Sequence, residues 1–237
     1  MSGLLHLAAL NVRLHFRSPM ALLYAYLFPT IFLVAFAVLY RHEDVPMARH
    51  MGELLTVTLL GGACFGLPTT IVGERERGIW RRYRLTPAAT ASLLGAIVAA
   101  RYLLLVPAAL LQVVLAMAIG MPAPQHPFDL WLALSCVAFA FLGLGLVIAM
   151  MADTVPAVQA LGQCIFLPML IIGGVAVPLA ALPEWAQRLS TFFPGRYAVA
   201  ALQAGVTGEG IGADRFNVPA LLIVGAAAIV AATAMFR

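Results

Sequence analysis

Long uncharged runs of apolar residues alternate with short charged connections along this chain. Six of these runs approach or exceed the roughly 20 residues that a helix needs to cross a bilayer. They cover about residues 20–40, 54–72, 92–122, 130–152, 155–179 and 218–236. The third run includes one charge, Arg101, and the fifth is long enough to tilt or bend. The pattern predicts an all-α integral membrane protein with six transmembrane helices, forming a single transmembrane domain over residues 1–237.

The composition excludes a water-soluble domain. Of the 237 residues, 63% are hydrophobic and 10% are charged, and the mean hydropathy is +0.98. Soluble domains carry roughly 25% charged residues. Too little polar surface remains to cover a soluble globule of this size, so the chain is expected to have lipid as its solvent.

The distribution of arginine predicts the orientation in the membrane. All 14 basic residues are arginines. Eight of them lie in the N-terminal segment, the connection after span two and the C-terminus, whereas five lie in the connections on the other side. Cytoplasmic connections carry the excess of positive charge. Both termini are therefore predicted to be cytosolic.

The connection after span two, residues 73–87, is the most highly charged segment of the chain. At 100° per residue it predicts a short amphipathic helix at the membrane face. The apolar side holds Ile79, Trp80 and Tyr83, and the charged side holds Glu74, Arg77 and Arg81. Arginine alone suffices to keep a loop in the cytosol, but the interleaved carboxylates favour specific ion pairs, within the helix or with a protein partner.

A second apolar stripe lies in the long connection before span six. Trp185, Leu189, Phe192 and Phe193 share one helical side, and Pro194-Gly195 then interrupts the pattern. Two short helices in the outer leaflet fit this spacing. Simple anchoring of aromatic side chains at the membrane interface is the alternative interpretation.

Two further features have charges near the inner leaflet. Arg101 lies at membrane depth, where it either extends to the headgroups or binds an anionic lipid or substrate. At the N-terminus, His6, Arg13 and Arg17 share one side of a predicted interfacial helix.

The chain lacks the signatures of other function classes. It has no lysine and hence no P-loop of the usual kind, no His-Glu-x-x-His and no Gly-x-Ser-x-Gly. Its three cysteines lie in apolar runs without metal-ligand spacing, so neither a metal nor a catalytic site is predicted. The arginine clusters do not form a nucleic-acid footprint. A membrane transporter subunit and a structural or assembly protein with an arginine-rich docking loop remain as alternatives.

Several segments, taken together, resemble the permease subunits of type-2 ATP-binding-cassette (ABC) exporters. The similarity begins with Glu-Arg-Glu-Arg-Gly at Glu74 to Gly78 and Thr86-Pro87, and it continues with Arg101 and Gln112 in span three. It is strongest over residues 173–179, 182–185 and 193–198. The chain departs from the common pattern at Trp80, Arg81 and Gly173.

The resemblance implies a permease of the drug, lipid or polysaccharide export type in a bacterial cytoplasmic (inner) membrane. Its implied partners are cytosolic ABC ATPase subunits, which would hold ATP and Mg, a second permease copy or similar subunit, and membrane lipids. No cofactor is expected on this chain. The loop after span two would couple to the ATPase through Glu74, Arg75, Glu76, Arg77, Gly78, Trp80 and Arg81. Re-entrant helices would form an outer gate with Pro183, Trp185, Phe192, Phe193, Pro194 and Tyr197.

Overall fold

A computed structural model describes residues 26–39, 47–79, 90–177, 179, 182–207 and 216–235. Within these ranges the regular elements are helices, which agrees with the predicted all-α class. In chain order they are α1 (Phe28–Leu39), a 3₁₀ turn (Met47–His50), α2 (Met51–Gly61), a π-helical turn (Gly62–Gly66), α3 (Leu67–Glu76), α4 (Thr90–Ala118), α5 (Pro127–Met151), α6 (Val155–Ile171), α7 (Glu184–Ser190), α8 (Pro194–Val206) and α9 (Asn217–Met235). The predicted N-terminal interfacial helix, with His6, Arg13 and Arg17, lies outside the described residues.

Four segments among the described residues are long and apolar enough to cross a membrane. They are Ala48–Glu76, Gly95–Ala118, Pro127–Met151 and Asn217–Met235. They coincide with the second, third, fourth and sixth predicted spans. The fifth corresponds to the 17-residue α6, and α1 lies within the first.

Three predicted boundaries differ from the structure. Span two is helical over Ala48–Glu76 rather than residues 54–72. The prediction stopped at the first charged residue on each side, but the ends of a helix can carry charged side chains. The third span ends at Ala118 rather than at residue 122, and a turn at Ile119 and Gly120 follows it. The fifth ends at Ile171 rather than at residue 179, and Gly174 follows with a φ of +73°.

Span two is a continuous helical segment with a π-helical turn at its centre. The N–H of Leu67 bonds to the carbonyl of Gly62, five residues earlier. Pro68 follows, and it has no N–H to donate. The turn therefore separates α2 from α3 without ending the helix.

Helix α5 forms the centre of the described bundle, with 72% of its most apolar segment buried. It packs closely against α9 at small residues. A Cβ atom on Gly143 would lie 3.0 Å from the carbonyl oxygen of Gly225 and 3.2 Å from the Cβ of Ala228. The corresponding segment of α9 is 22% buried, so most of that helix faces outward.

Candidate coupling and gate segments

The first three charged residues of the predicted coupling loop form the last turn of α3. Glu74, Arg75 and Glu76 continue the helix, and a turn at Arg77 and Gly78 ends it. Gly78 has a φ of +70°, the left-handed conformation that favours glycine after a helix. The predicted amphipathic segment is therefore interrupted at this turn, and most of the short helix predicted for the connection falls on residues after it. Trp80, Arg81 and the rest of the loop to residue 89 lie outside the described residues.

Arg75 binds the C-terminal end of α5. One guanidinium nitrogen donates to the Ala152 carbonyl and to Asp153 Oδ1, each at 3.3 Å. The other donates to the Ala149 carbonyl at 3.1 Å. The last carbonyls of a helix have no partner within it and carry partial negative charge. Arg75 therefore satisfies this end of α5 by both geometry and charge.

Glu76 binds the N-terminal end of α6, the next helix along the chain. Its Oε1 accepts the backbone N–H of Val155 at 3.0 Å. Thr154 caps the same helix, because its hydroxyl accepts the N–H of Ala157 at 3.4 Å. A carboxylate at a helix N-terminus is stabilised by the partial positive charge there. We call the contacts of Arg75 and Glu76 with residues 149–155 the Arg75–Glu76 junction.

Arg101 lies against one face of α3. Its guanidinium donates to the hydroxyl of Thr70, and a Cβ on Gly66 would be 3.7 Å from one of its nitrogens. Glu74 interacts with it electrostatically. Gly66, Thr70 and Glu74 are spaced four residues apart and so share a helical face. That spacing was the available signal for a carboxylate partner of Arg101, and the sequence reasoning missed it.

The predicted outer-gate residues divide into an exposed and a packed group. On α7 and just after it, Trp185 is 63% and Phe192 is 84% exposed. Pro183 is also exposed. Phe193 and Tyr197 instead pack against the hydrophobic core, and Pro194 is buried. Phe193 therefore leaves the predicted apolar stripe, because it is the residue at which the chain turns into α8.

Two side chains of α8 hold the end of α7 in place. The Tyr197 hydroxyl donates to the Thr191 carbonyl at 2.7 Å, and Arg196 donates to the Ser190 hydroxyl at 3.1 Å. Two successive short helices were predicted here, and the described residues contain them.

Gln203 of α8 hydrogen-bonds to the start of span two. Its Oε1 accepts the N–H of Gly52 at 2.9 Å, and its Nε2 donates to the carbonyl of Ala48 at 2.7 Å. A Cβ on Gly52 would lie 2.7 Å from the carbonyl oxygen of Val199, so the two helices are in backbone contact. The sequence reasoning missed Gln203, whose position in a helix gives no sign of its partner.

Gln112 lies at the contact between α2 and α4. The Thr58 hydroxyl, which is buried, donates to Gln112 Oε1 at 2.6 Å and also lies 3.0 Å from the Leu54 carbonyl. Gln112 is 3% exposed. Buried polar contacts of this kind join helices within a membrane.

The described residues contain no group of three or more His, Cys, Asp or Glu side chains placed to bind a metal ion. A search of curated proteins finds no match to the chain. A family model described as "ABC-2 type transporter" matches residues 4–206. The match includes α3, the Arg75–Glu76 junction and helices α7 and α8. This chain, a multi-pass membrane protein, belongs to the ABC-2 type transporter family.

Proposed function

We propose that this chain is the permease subunit of an ABC exporter in a bacterial inner membrane, with both termini in the cytosol. It moves a hydrophobic or amphipathic substrate, which is drug-like, a lipid or a lipid-linked glycan. ATP hydrolysis on a separate subunit, which holds ATP and Mg, drives the movement. The observation that carries the proposal is membership of the family over residues 4–206, because such permeases are the membrane components of transporters and do not contain the ATPase.

The ATPase docks on the segment that begins at Arg77. Arg77 is exposed at the end of α3, and three further arginines follow within the next seven residues. Arg75 and Glu76 are engaged with α5 and α6. Docking therefore uses Arg77, Gly78, Trp80 and Arg81, with Glu74 held nearby on α3 by its interaction with Arg101.

The outer helices close the pathway on the opposite side. Tyr197 and Pro194 fix the position of α8, whereas Trp185, Leu189 and Phe192 present an exposed apolar face. Such a face suits the outer leaflet or a passing hydrophobic substrate. A second permease subunit completes the pathway, since transport requires a passage between domains that change their relative positions.

Reversing the charge of the loop tests this proposal. The chain is co-expressed with the candidate ABC ATPase whose gene lies nearest to its own, purified by a tag on this chain, and reconstituted in lipid nanodiscs. We expect the ATPase to co-purify and to hydrolyse ATP. The double variant Arg77→Glu and Arg81→Glu should lose most of the bound ATPase, because two positive side chains of the docking surface become negative and are repelled by the surface that binds them.

Arg188→Glu is the matched control. Arg188 is exposed on α7, far along the chain from the loop, and its ion pair with Glu184 is a surface pair of little energetic value. The control should retain the ATPase. A stable permease that never retains the ATPase supports the structural or assembly role instead, and loss of ATPase from both variants contradicts a specific docking role for the loop.

A further inference from the structure

Arg75 and Glu76 are adjacent residues that bind the ends of two different helices at the same turn. Arg75 donates hydrogen bonds to carbonyls at the end of α5, and Glu76 accepts one from a backbone N–H at the start of α6. We propose that they are positioning residues that make α3, α5 and α6 move together when the ATPase moves the loop. This inference rests on the proposed function, because it assigns the route by which docking reaches the spans.

The contacts of Arg75 need the geometry of arginine. Its two terminal nitrogens reach carbonyls three residues apart, those of Ala149 and Ala152. A planar guanidinium presents such paired donors in a fixed arrangement, whereas a lysine ammonium is a single point charge. The bond to Asp153 contributes little, since that side chain is 94% exposed. The helix carbonyls are therefore the important partners.

The contact of Glu76 completes the N-terminus of α6. The first N–H groups of a helix lack partners within it. Here Thr154 accepts the N–H of Ala157, and Pro156 has no N–H to satisfy. Val155 is left, and Glu76 accepts its N–H. Two side chains thus accept N–H groups at this end of α6, and one of them, Glu76, belongs to α3.

The bonds of Arg75 and Glu76 link α3 to the ends of α5 and α6, so a displacement of α3 also displaces those two helices. Gly78 ends α3 two residues after Glu76, so the loop joins the helix directly beyond the junction. Gly73, one turn earlier on α3, is buried, and a Cβ there would lie 3.7 Å from a Val155 methyl group. Movement of the loop therefore reaches the ends of two other helices through side chains of α3, without passing along the chain that links them.

The test separates the junction from docking by removing each half of the Glu76 bond. Glu76→Ala removes the acceptor, and Val155→Pro removes the donor at the first helical position, where proline is tolerated. Val155→Ala shortens the same side chain but keeps the N–H. Glu76→Gln keeps an acceptor oxygen. Arg75→Lys keeps the charge but not the paired geometry.

The measurement is a distance across the predicted cytosolic end. Spin labels are placed on exposed residues of α4 and α6, at Ala99→Cys and Gln159→Cys, and the exposed native thiol is removed by Cys164→Ala. The complex with the ATPase is compared in nanodiscs without nucleotide and after trapping with ATP and vanadate. ATPase co-purification and ATP hydrolysis are recorded on the same samples.

With an intact junction, trapping should shift the distance between α4 and α6. Glu76→Ala, Val155→Pro and Arg75→Lys should lose most of the shift while they retain the ATPase, whereas Val155→Ala and Glu76→Gln should keep it. An unchanged shift in Glu76→Ala and Val155→Pro, or no shift in the parent complex that hydrolyses ATP, would overturn the inference. Loss of the ATPase from Glu76→Ala alone would mean that Glu76 docks the partner, which also overturns it. Failure of the parent chain to bind any ATPase would instead refute the proposed function.

Discussion

Two glycines on neighbouring helices bring their backbones against the same turn of span two. A Cβ on Gly145 of α5 would lie 2.4 Å from the carbonyl oxygen of Ala63, and one on Gly162 of α6 would lie 2.7 Å from that of Cys64. Both carbonyls belong to the π-helical turn. At the scale of single residues, the absence of a side chain therefore allows three helices to meet at the centre of the bundle.

Alanine at either glycine should destabilise the protein. The added methyl group meets backbone rather than a mobile side chain, so the helices must separate, at a cost of about 1–3 kcal/mol. We expect a lower Tm for Gly145→Ala and for Gly162→Ala, measured by thermal unfolding in detergent.

Gly61→Ala, at the end of α2, is the control. A Cβ there meets nothing within 4 Å. Alanine in a helix is favoured over glycine by about 1 kcal/mol, so its Tm should be equal or higher. A fall in Tm for Gly61→Ala as large as that for Gly145→Ala would show that helix contact is not the cause.

At the scale of elements, the ends of helices are held by side chains from other helices. Span two shows this at both ends, because Gln203 of α8 binds its first turn and its own Arg75 and Glu76 bind α5 and α6. The helix thus connects the predicted outer gate to the predicted coupling loop.

Replacing Gln203 should release the first turn of span two. Gln203→Met keeps the length of the side chain but removes its bonds to Gly52 and Ala48, with an expected cost of about 1–3 kcal/mol. Hydrogen exchange at residues 48–54 should become faster, while exchange at residues 67–76 should not change. Gln187→Met is the comparison, since Gln187 bonds to the Leu182 carbonyl near α7. Equal exchange in the parent and the Gln203 variant would contradict the role of this side chain.

The helices could be predicted from sequence better than their contacts. Hydropathy located the apolar segments because lipid imposes one simple requirement on each of them. The Glu-Arg-Glu-Arg pattern was recognised as special, yet its carboxylate and guanidinium bond to backbone groups 74 to 79 residues away, which no local spacing reveals. The turn at Gly78, which ends α3 inside the predicted coupling segment, was likewise missed, because the charged residues before it continue the periodicity of the helix.

At the scale of the whole molecule, two exposed segments of the described residues lie in different connections between the spans. The α5–α6 turn, with Asp153, lies at the end where α3 stops, whereas Trp185 and Phe192 lie in the connection that precedes α9. The arginine distribution predicts that the first end is cytosolic.

Single cysteines at exposed positions check this orientation. With Cys164→Ala as background, a membrane-impermeant maleimide should label Glu184→Cys in cells whose outer membrane is permeabilised and whose inner membrane is intact. Asp153→Cys should be labelled only after the inner membrane is permeabilised. Both native side chains are charged and exposed, at 89% for Glu184 and 94% for Asp153, so access to the thiols is expected. The reverse pattern of labelling would show that the chain has the opposite orientation in the membrane.

The π-helical turn also sets the rotational phase of span two. Such a turn amounts to one residue inserted into an α-helix, and each residue advances the helix by about 100°. Gln203 contacts one face of α2, and Arg75 and Glu76 lie on one face of α3. The rotation between these two faces about the helix axis therefore differs from the rotation in a regular α-helix of the same sequence. If this turn became regular α-helix with every residue kept, Arg75 and Glu76 would rotate by about 100° away from the α5–α6 turn, although no residue that makes the contact had changed.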